Sequence, residues 1–386
     1  MPPSENIWWT AGFNAFHQLS DREGDIWEFE RFQPGGRNDD IHVLYPSWSS
    51  TAFKTDQQIR SLGFQTFTAD LPAAVADDGT STTFVELRSP FGDDANGLFG
   101  CLDSQGQVHL LSNSPEQDNT TNKNNNPTFT PSSDDPEAPR ISALAIAGNG
   151  KVALTFTQAP NGQLTHIAEF ASFKAFTKWH KTPSETGNYP AAHHMLPGRP
   201  KQLLANGGNF ILLMESGDVY TWGDPRFRTL ARRTAGSDGT PAEEPGLVEA
   251  LGGLRIASVQ CGPGVGWLAA ALSEDGALYL WGAAMPGEEG VIECLREAGA
   301  GEVALVEIMS DLNAAEPADI VGASVGRNHV AVVTDAGHLF VVGDNSNGQL
   351  GMGKEHSFLR EWTRVPSLEN VSRVACGPKT TFALTQ

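Results

Sequence analysis

Five glycines, Gly106, Gly162, Gly217, Gly276 and Gly337, follow one another at intervals of 56, 55, 59 and 61 residues, each amid a similar pattern of apolar blocks and polar loops. Such regularity is the mark of a repeat architecture, in which each unit buries its apolar faces only against its neighbours. The clearest unit runs from Gly322 to Gly351: Gly322-Ala-Ser-Val-Gly-Arg-Asn-His329, then Val-Ala-Val-Val-Thr334, Asp-Ala-Gly337, His-Leu-Phe-Val-Val-Gly343 and the polar loop Asp-Asn-Ser-Asn-Gly-Gln-Leu-Gly351. Its plan is strand, turn, strand, tight turn, strand, glycine, loop.

The plan recurs upstream. Val259-Gln-Cys-Gly262 leads to Trp267–Leu272, Glu274-Asp-Gly276 and Ala277–Gly282, and Leu203–Gly207 leads to Phe210–Met214, Ser216-Gly217 and Asp218–Gly223. Fainter copies lie at Ile141–Phe170, Val85–Leu111 and Val43–Gly63. Ser-Gln-Gly, Glu-Ser-Gly, Glu-Asp-Gly and Asp-Ala-Gly put glycine where a short hairpin needs positive φ. The flanking blocks, five to seven residues rich in Val, Leu, Phe, Tyr and Trp, suit strands. Several, such as Ala269-Ala-Ala-Leu272 and Phe340-Val-Val342, are apolar on both faces, so each sheet must be covered on both sides. A ring of sheets does this without a bare end.

The chain ends complete the ring. Ile7–Leu19 carries the last part of a unit, and Val371–Cys376 with Thr380–Thr385 carries the first. Together they make one unit, which removes open sheet edges. The expected fold is all-β: a seven-bladed β-propeller closed by pairing of N- and C-terminal strands. The chain reads as a single domain, with blades at 371–386 plus 7–19, 41–64, 81–112, 141–170, 201–230, 254–283 and 320–351. Residues 114–140, with Asn119-Thr-Thr-Asn-Lys-Asn-Asn-Asn-Pro127, read as a flexible Asn/Ser/Pro-rich loop. Residues 23–40 and 231–246 are also polar, 172–200 carries Phe173, Phe176, Trp179 and Tyr189, and 288–298 suits a short helix.

Gly343-Asp-Asn-Ser-Asn-Gly-Gln-Leu-Gly351, preceded by Gly326-Arg-Asn-His329, resembles the repeat of the regulator-of-chromosome-condensation family of seven-bladed propellers. Trp222-Gly223, Trp281-Gly282 and Gly12-Phe-Asn-Ala-Phe-His-Gln-Leu19 resemble the same signature. The likeness is densest in 201–386 and 7–19. It implies a non-enzymatic protein-interaction scaffold, like the accessory propellers that hold one dedicated partner in diphthamide synthesis and tRNA wobble modification or beside a JmjC-type oxygenase. The alternative it implies is a guanine-nucleotide exchange factor for a Ran-type small GTPase.

Charge narrows the partners. The chain has 26 Lys and Arg against 46 Asp and Glu, a net charge of −20. Nucleic-acid binding relies on basic residues displacing counterions, so no direct nucleic-acid contact is expected, and docking on anionic lipid is disfavoured. Arg226, Arg228, Arg232 and Arg233 form the nearest basic patch and read more simply as a solvated loop. No apolar run reaches the ~18 residues of a spanning helix, so no membrane partner is expected. The N-terminal residues lack a secretory pattern. Cys101, Cys261, Cys294 and Cys376 form no CxxC pair, which fits a reducing compartment, cytoplasmic or nuclear.

No catalytic signature stands out: Gly322-Ala-Ser-Val-Gly326 has the Gly-x-Ser-x-Gly spacing but falls in a strand block of the repeat rather than at a nucleophile elbow, and no P-loop or HExxH occurs. No catalytic residues, cofactor or metal are therefore expected. His193-His194 reads as a surface loop, His329 as a structural histidine at a strand entry, and Asp93-Asp94, Asp134-Asp135 and Glu243-Glu244 as solvated pairs. By repeat symmetry the loops after each strand-ending glycine leave the ring on one side. They carry Phe13, Asn14, Phe16 and His17; Asp224, Arg226, Phe227 and Arg228; Met285; and Asp344, Asn345 and Asn347. Aromatic and Arg residues dominate interface hot spots. The residues assigned to partner binding are Phe16, His17, Asp224, Arg226, Phe227, Arg228, Asn345 and Asn347.

Overall fold

The computed structural model describes residues 6–34, 41–55, 58–64, 66–71, 73–75, 82–84, 86–112, 127–133, 139–156, 164–183, 185, 187–234, 239–283, 291–299, 301–309 and 317–386. Seven four-stranded antiparallel sheets form a ring. Blade 1 holds His42–Pro46, Ser50–Lys54, Gln58–Gly63 and Phe67–Asp70; blade 2 holds Leu87–Asp93, Gly97–Asp103, Val108–Leu111 and Phe129–Pro131. Blade 3 holds Ile141–Ile146, Val152–Phe156, Leu164–Phe170 and Ala192–Pro197; blade 4 holds Pro200–Ala205, Asn209–Met214, Val219–Gly223 and Gly246–Leu247. Blade 5 holds Ile256–Cys261, Leu268–Ser273, Leu278–Gly282 and Ala304–Val306; blade 6 holds Ile320–Val325, His329–Thr334, Leu339–Asp344 and Phe358–Arg364. In blade 7, Val371–Cys376 and Thr380–Thr385 are followed by Ile7–Gly12 and Ile26–Arg31. The first strands of successive blades touch one another and surround the axis.

Closure is direct. Ile7 pairs with Thr385, Trp9 with Ala383 and Gly12 with Thr380 along one continuous antiparallel register. The seam to blade 1 is sealed by Trp8, Ile26, Phe382 and Leu384 of blade 7 against Ile41 and Phe53.

Strand periodicity explains the doubly apolar blocks. Side chains alternate between sheet faces, so Ala270 and Leu272 enter the core between blades 5 and 6 while Ala269 and Ala271 enter the one between 4 and 5. Val330 and Val332 face blade 5, and Ala331 and Val333 face blade 7. Among the described residues, seven apolar clusters fill the seven blade-to-blade seams. The glycine ending each third strand has its own reason. A Cβ on Gly12 or Gly343 would stand 2.3 Å from the Lys379 or Asn328 carbonyl oxygen, and their φ values are +126° and +105°.

Three expectations are corrected. Every blade has a fourth, outermost strand that the three-strand reading missed: these strands are short, or half-exposed as in Phe358–Arg364 and Ala192–Pro197, so no apolar block announces them. One of them, Phe129–Pro131, lies inside the segment 114–140 read as flexible loop, because Phe129 is drawn into the core between blades 1 and 2. Another, Ile26–Arg31, lies inside the polar stretch 23–40. The aromatic segment between the third and fourth strands of blade 3 forms the helix Phe173–Lys181, capped by Ser172 and packed through Phe173, Phe176 and Trp179 on the blade 2–3 core. In 288–298 the described helical part is one short turn, Glu293–Leu295. A hairpin of Ala73–Val75 and Thr82–Phe84 joins blades 1 and 2. Gly162, Val85, Met285 and Asp134-Asp135 lie outside the described residues.

Candidate interaction face

Antiparallel strands reverse twice between the first turn and the last loop of a blade. The turn joining strands one and two therefore lies on the same side as the loop joining three and four. Backbone bonds tie the two together: Phe13 N–H to the Lys379 carbonyl at 2.9 Å, Phe64 to Ser49 at 2.9 Å, Asp344 to Asn328 at 2.9 Å, and Asp224 to Gly208 at 3.3 Å. We call this the upper face. The lower face presents the turns between strands two and three, with Glu215, Glu274, Asp275 and Asp335 beside their glycines.

The Asn-x-x-x-Gln-Leu pattern proves to be an internal scaffold. The buried Asn345 amide donates to the Gly353 and His356 carbonyls at 2.9 and 2.8 Å, and its oxygen accepts the Leu350 N–H at 3.0 Å. Asn14 does the same for Ser20, Arg22 and Leu19. Gln18 and Gln349 cap the Phe16 and Asn347 amides. Asn345 is fully buried, so its assignment to partner binding is corrected: its polar atoms are consumed by its own loop. Asn347 is half-buried and cross-links loops, accepting from Lys379 Nζ at 2.6 Å and donating to Asp25 at 2.8 Å.

An aromatic cluster stands on this rim. Phe13 lies 5.1 Å from the Trp48 ring and 6.0 Å from Phe16, which lies 6.1 Å from Phe64. Arg327 and Lys379 sit over Trp48 at 5.9 and 5.2 Å. Phe16 and Phe64 remain 37% and 71% exposed. His17 is exposed beside them, with φ +58°.

The blade 4 loop lies three blades away around the ring, so the assigned residues form two groups. Asp224 accepts the Arg226 guanidinium on both oxygens, which holds its carboxyl below the usual range. Phe227, at φ +61°, stacks on Trp267 of blade 5 with centroids 3.9 Å apart. Arg228 donates to the Ala298 carbonyl. The basic patch dissolves at Arg232, which is buried and donates to the Thr221, Thr240, Pro241 and Glu244 carbonyls at 2.7–3.0 Å.

The centre of the face holds what the sequence reading missed. A cavity of about 470 Å³ is lined by Tyr45, Trp48, Phe99, Phe173, Asp94 and Arg327, with Val265 and other turn residues. Asp93 is bound by the Asn96 amides at 2.5 and 2.8 Å. Asp94, read as solvated, is instead half-buried, with its Oδ1 shielded from solvent. Desolvation and the neighbouring Asp93 raise its carboxyl to about 7 against the opposing Arg327 and the Val265 N–H. The Tyr45 phenol is pushed up by burial and by the same two carboxylates. Blade 5 reaches this point because its first turn, Gly262-Pro-Gly-Val-Gly-Trp267, has six residues where Gly326-Arg-Asn328 has three. Gly264 packs on the Asp94 carboxylate so closely that any Cβ would overlap it. The three extra residues were a legible signal.

Elsewhere the polar groups are structural. Buried His329 bonds Thr381 Oγ1 at 3.0 Å, tying blade 6 to blade 7. The His193-His194 pair lies on the strand Ala192–Pro197, which corrects the loop reading; His194 and the Trp222 indole meet on Glu169 Oε1 at 2.9 and 2.8 Å. No cluster of three metal-ligating side chains and no helix long and apolar enough to cross a membrane occurs among the described residues.

A family model described as the regulator of chromosome condensation (RCC1) repeat matches residues 336–384, and a second of that description matches 320–349. The chain carries RCC1 repeats. Mouse RCC1 domain-containing protein 1 is 34% identical over 215 residues, covering 48% of this chain and 55% of the relative. The human E3 ubiquitin-protein ligase HERC2 is 31% identical over 175 residues, covering 45% of this chain and 3% of HERC2. The chain thus spans about half of the first relative and a small part of the second. Human WBSCR16 superimposes with a TM-score of 0.65 at 14% identity, covering 99% of both chains. Prp20p of Saccharomyces cerevisiae, described with its binding to Gsp1p and histones, does so at 0.63 and 13%, covering 100% of this chain and 92% of that one. These two likenesses are likenesses of fold.

Proposed function

We propose that this RCC1-repeat propeller is a non-enzymatic scaffold that docks a dedicated protein partner on its upper face. The observation that carries the reading is the pair Phe16 and Phe64, exposed beside the half-buried Phe13 and Trp48 on a rim fixed by loop-to-turn hydrogen bonds. Aromatic anchors on a rigid support give contact area at low entropic cost. Phe227, Val265 and Tyr189 add exposed apolar surface to the same side, whereas the lower-face turns are acidic. The four cysteines are free, and burial pushes Cys101, Cys261 and Cys376 up to about 12 and Cys294 up to about 11. As part of this proposal we place the chain in a reducing compartment, cytoplasmic or nuclear, where free thiols persist.

The test is quantitative co-purification with the tagged wild type, with Phe16→Glu/Phe64→Glu, and with Glu274→Lys/Asp275→Lys on the lower face. The reading expects one stoichiometric partner lost only in the upper-face variant; a partner list unchanged by that variant overturns it. Diphthamide-pathway, tRNA-modification and JmjC-type partners are tested in the same experiment. The alternative, exchange on a Ran-type GTPase, draws support from the near full-length likeness to Prp20p. It is separated by nucleotide release from Ran: strong acceleration would replace the scaffold reading.

A further inference from the structure

The axial cavity combines three features that the fold does not need. It is open to the upper face and enclosed by the aromatic side chains Tyr45, Trp48, Phe99 and Phe173. It has a carboxyl on its wall that is only partly satisfied: Arg327 and the Val265 N–H face Asp94, but its Oδ1 is shielded from solvent and has no hydrogen-bond partner. The neighbouring Asp93, by contrast, is fully engaged by Asn96. A buried, unpaired acceptor is destabilising, and such a group at a binding site is a reason to look for the ligand that completes it.

The chemistry of the walls selects the ligand. Two adjacent carboxyls repel an anion. A divalent metal needs several oxygen ligands, and no cluster of three ligating side chains exists among the described residues. An organic cation satisfies both parts of the site: its charge pairs with Asp94, and its face or stem lies on the aromatic rings. Trp48 already takes two cations, Arg327 and Lys379, on its ring. The net charge of −20 draws basic partners from a distance.

We propose that this cavity receives one basic side chain, lysine or arginine, of the docking protein, with Asp94 as its counter-charge. The inference rests on the upper face being the docking face and adds the chemistry of what enters its centre. The flanking anchors Phe16 and Phe64 then supply area, and the Asp94 contact supplies register.

The test titrates the full chain with three probes: n-butylguanidinium, its neutral analogue n-butylurea, and the peptide acetyl-Gly-Gly-Arg-Gly-Gly-amide. Binding is read from the NMR shift of the Trp48 indole N–H. The cation and the peptide are expected to bind about tenfold or more tightly than the urea. Asp94→Asn should abolish that preference, and Asp275→Asn on the lower face should keep it. The groups facing Asp94 are Asp93 on its own turn, Tyr45 of blade 1, Arg327 of blade 6 and the Val265 amide of blade 5. The cation preference should accordingly weaken as pH falls from 8 to 6. Equal binding of cation and urea by the wild type overturns the proposal without recourse to any variant. So does a preference that survives Asp94→Asn, and so does binding of butylguanidinium without the peptide, which would assign the cavity to a free small cation. No partner enters this titration, so its failure is told apart from that of the co-purification: a failed titration removes the cavity's ligand and leaves the docking face standing, whereas a failed co-purification removes the docking face itself.

Discussion

Replacing Asp94 by Asn should make the protein more stable, and increasingly so as pH rises. Burial and Asp93 raise this carboxyl from 3.8 to about 7 in the folded chain. Between those values the folded state binds the proton that the unfolded state has released, so wild-type stability falls with rising pH and the loss is complete above pH 7. At 1.36 kcal/mol per tenfold in proton affinity, the full penalty is about 4 kcal/mol. Asn keeps the shape and cannot ionise. Urea unfolding of both proteins at pH 5, 6, 7 and 8 gives the difference directly, free of every other titrating group. The advantage of the variant should grow by about 3 kcal/mol from pH 5 to pH 8 and level off above 7. A difference that stays flat, or a wild type that gains on the variant as pH rises, would mean that Asp94 is solvated or well paired, and the cavity argument would go with it. A stabilising substitution at a surface cavity is the expected signature of a group kept for binding rather than folding.

Asn345→Ala removes three bonds to loop backbone and should cost about 2–4 kcal/mol in urea unfolding; a loss under about 1 kcal/mol contradicts its structural role. Burial lowers His329 and His180 from 6.5 to about 4. Their contribution is present above pH 6.5 and is lost as pH falls towards 4, so His329→Gln should remove about 1.4 kcal/mol per pH unit of that acid sensitivity, measured by unfolding at pH 6.5, 5.5 and 4.5. Arg232→Met orphans four carbonyls and should destabilise by about 3 kcal/mol. Limited proteolysis should then cut within 224–245, and an uncut loop would count against the assignment.

What the sequence made legible was what packing enforces. Ala269–Leu272 and Val330–Val333 are apolar at every position because alternate side chains enter opposite seams, and a ring of sheets covers both faces of such strands. The split unit followed from Trp8–Gly12 and Thr380–Thr385, whose glycine and apolar positions complement each other. The outer strands escaped notice because Ala192–Pro197 and Phe358–Arg364 bury only part of their residues. Phe16 and Phe227 were singled out by residue type and are exposed on the upper face, while Asn345 was misassigned because an Asn that bonds its own loop reads like one awaiting a partner. Asp94 was passed over for a nonlocal reason: its burial comes from Gly264 and Val265, some 170 residues along the chain, and only the six-residue turn of blade 5 hinted at that reach.

The central claim, that partners meet the upper face, is tested most directly by photo-crosslinking in cells. A photoreactive phenylalanine is placed at Phe64 on the upper rim or at Asp275 on the lower turn. The account expects one discrete crosslinked species from position 64 and none from position 275. The reverse pattern, or the same species from both, would contradict it.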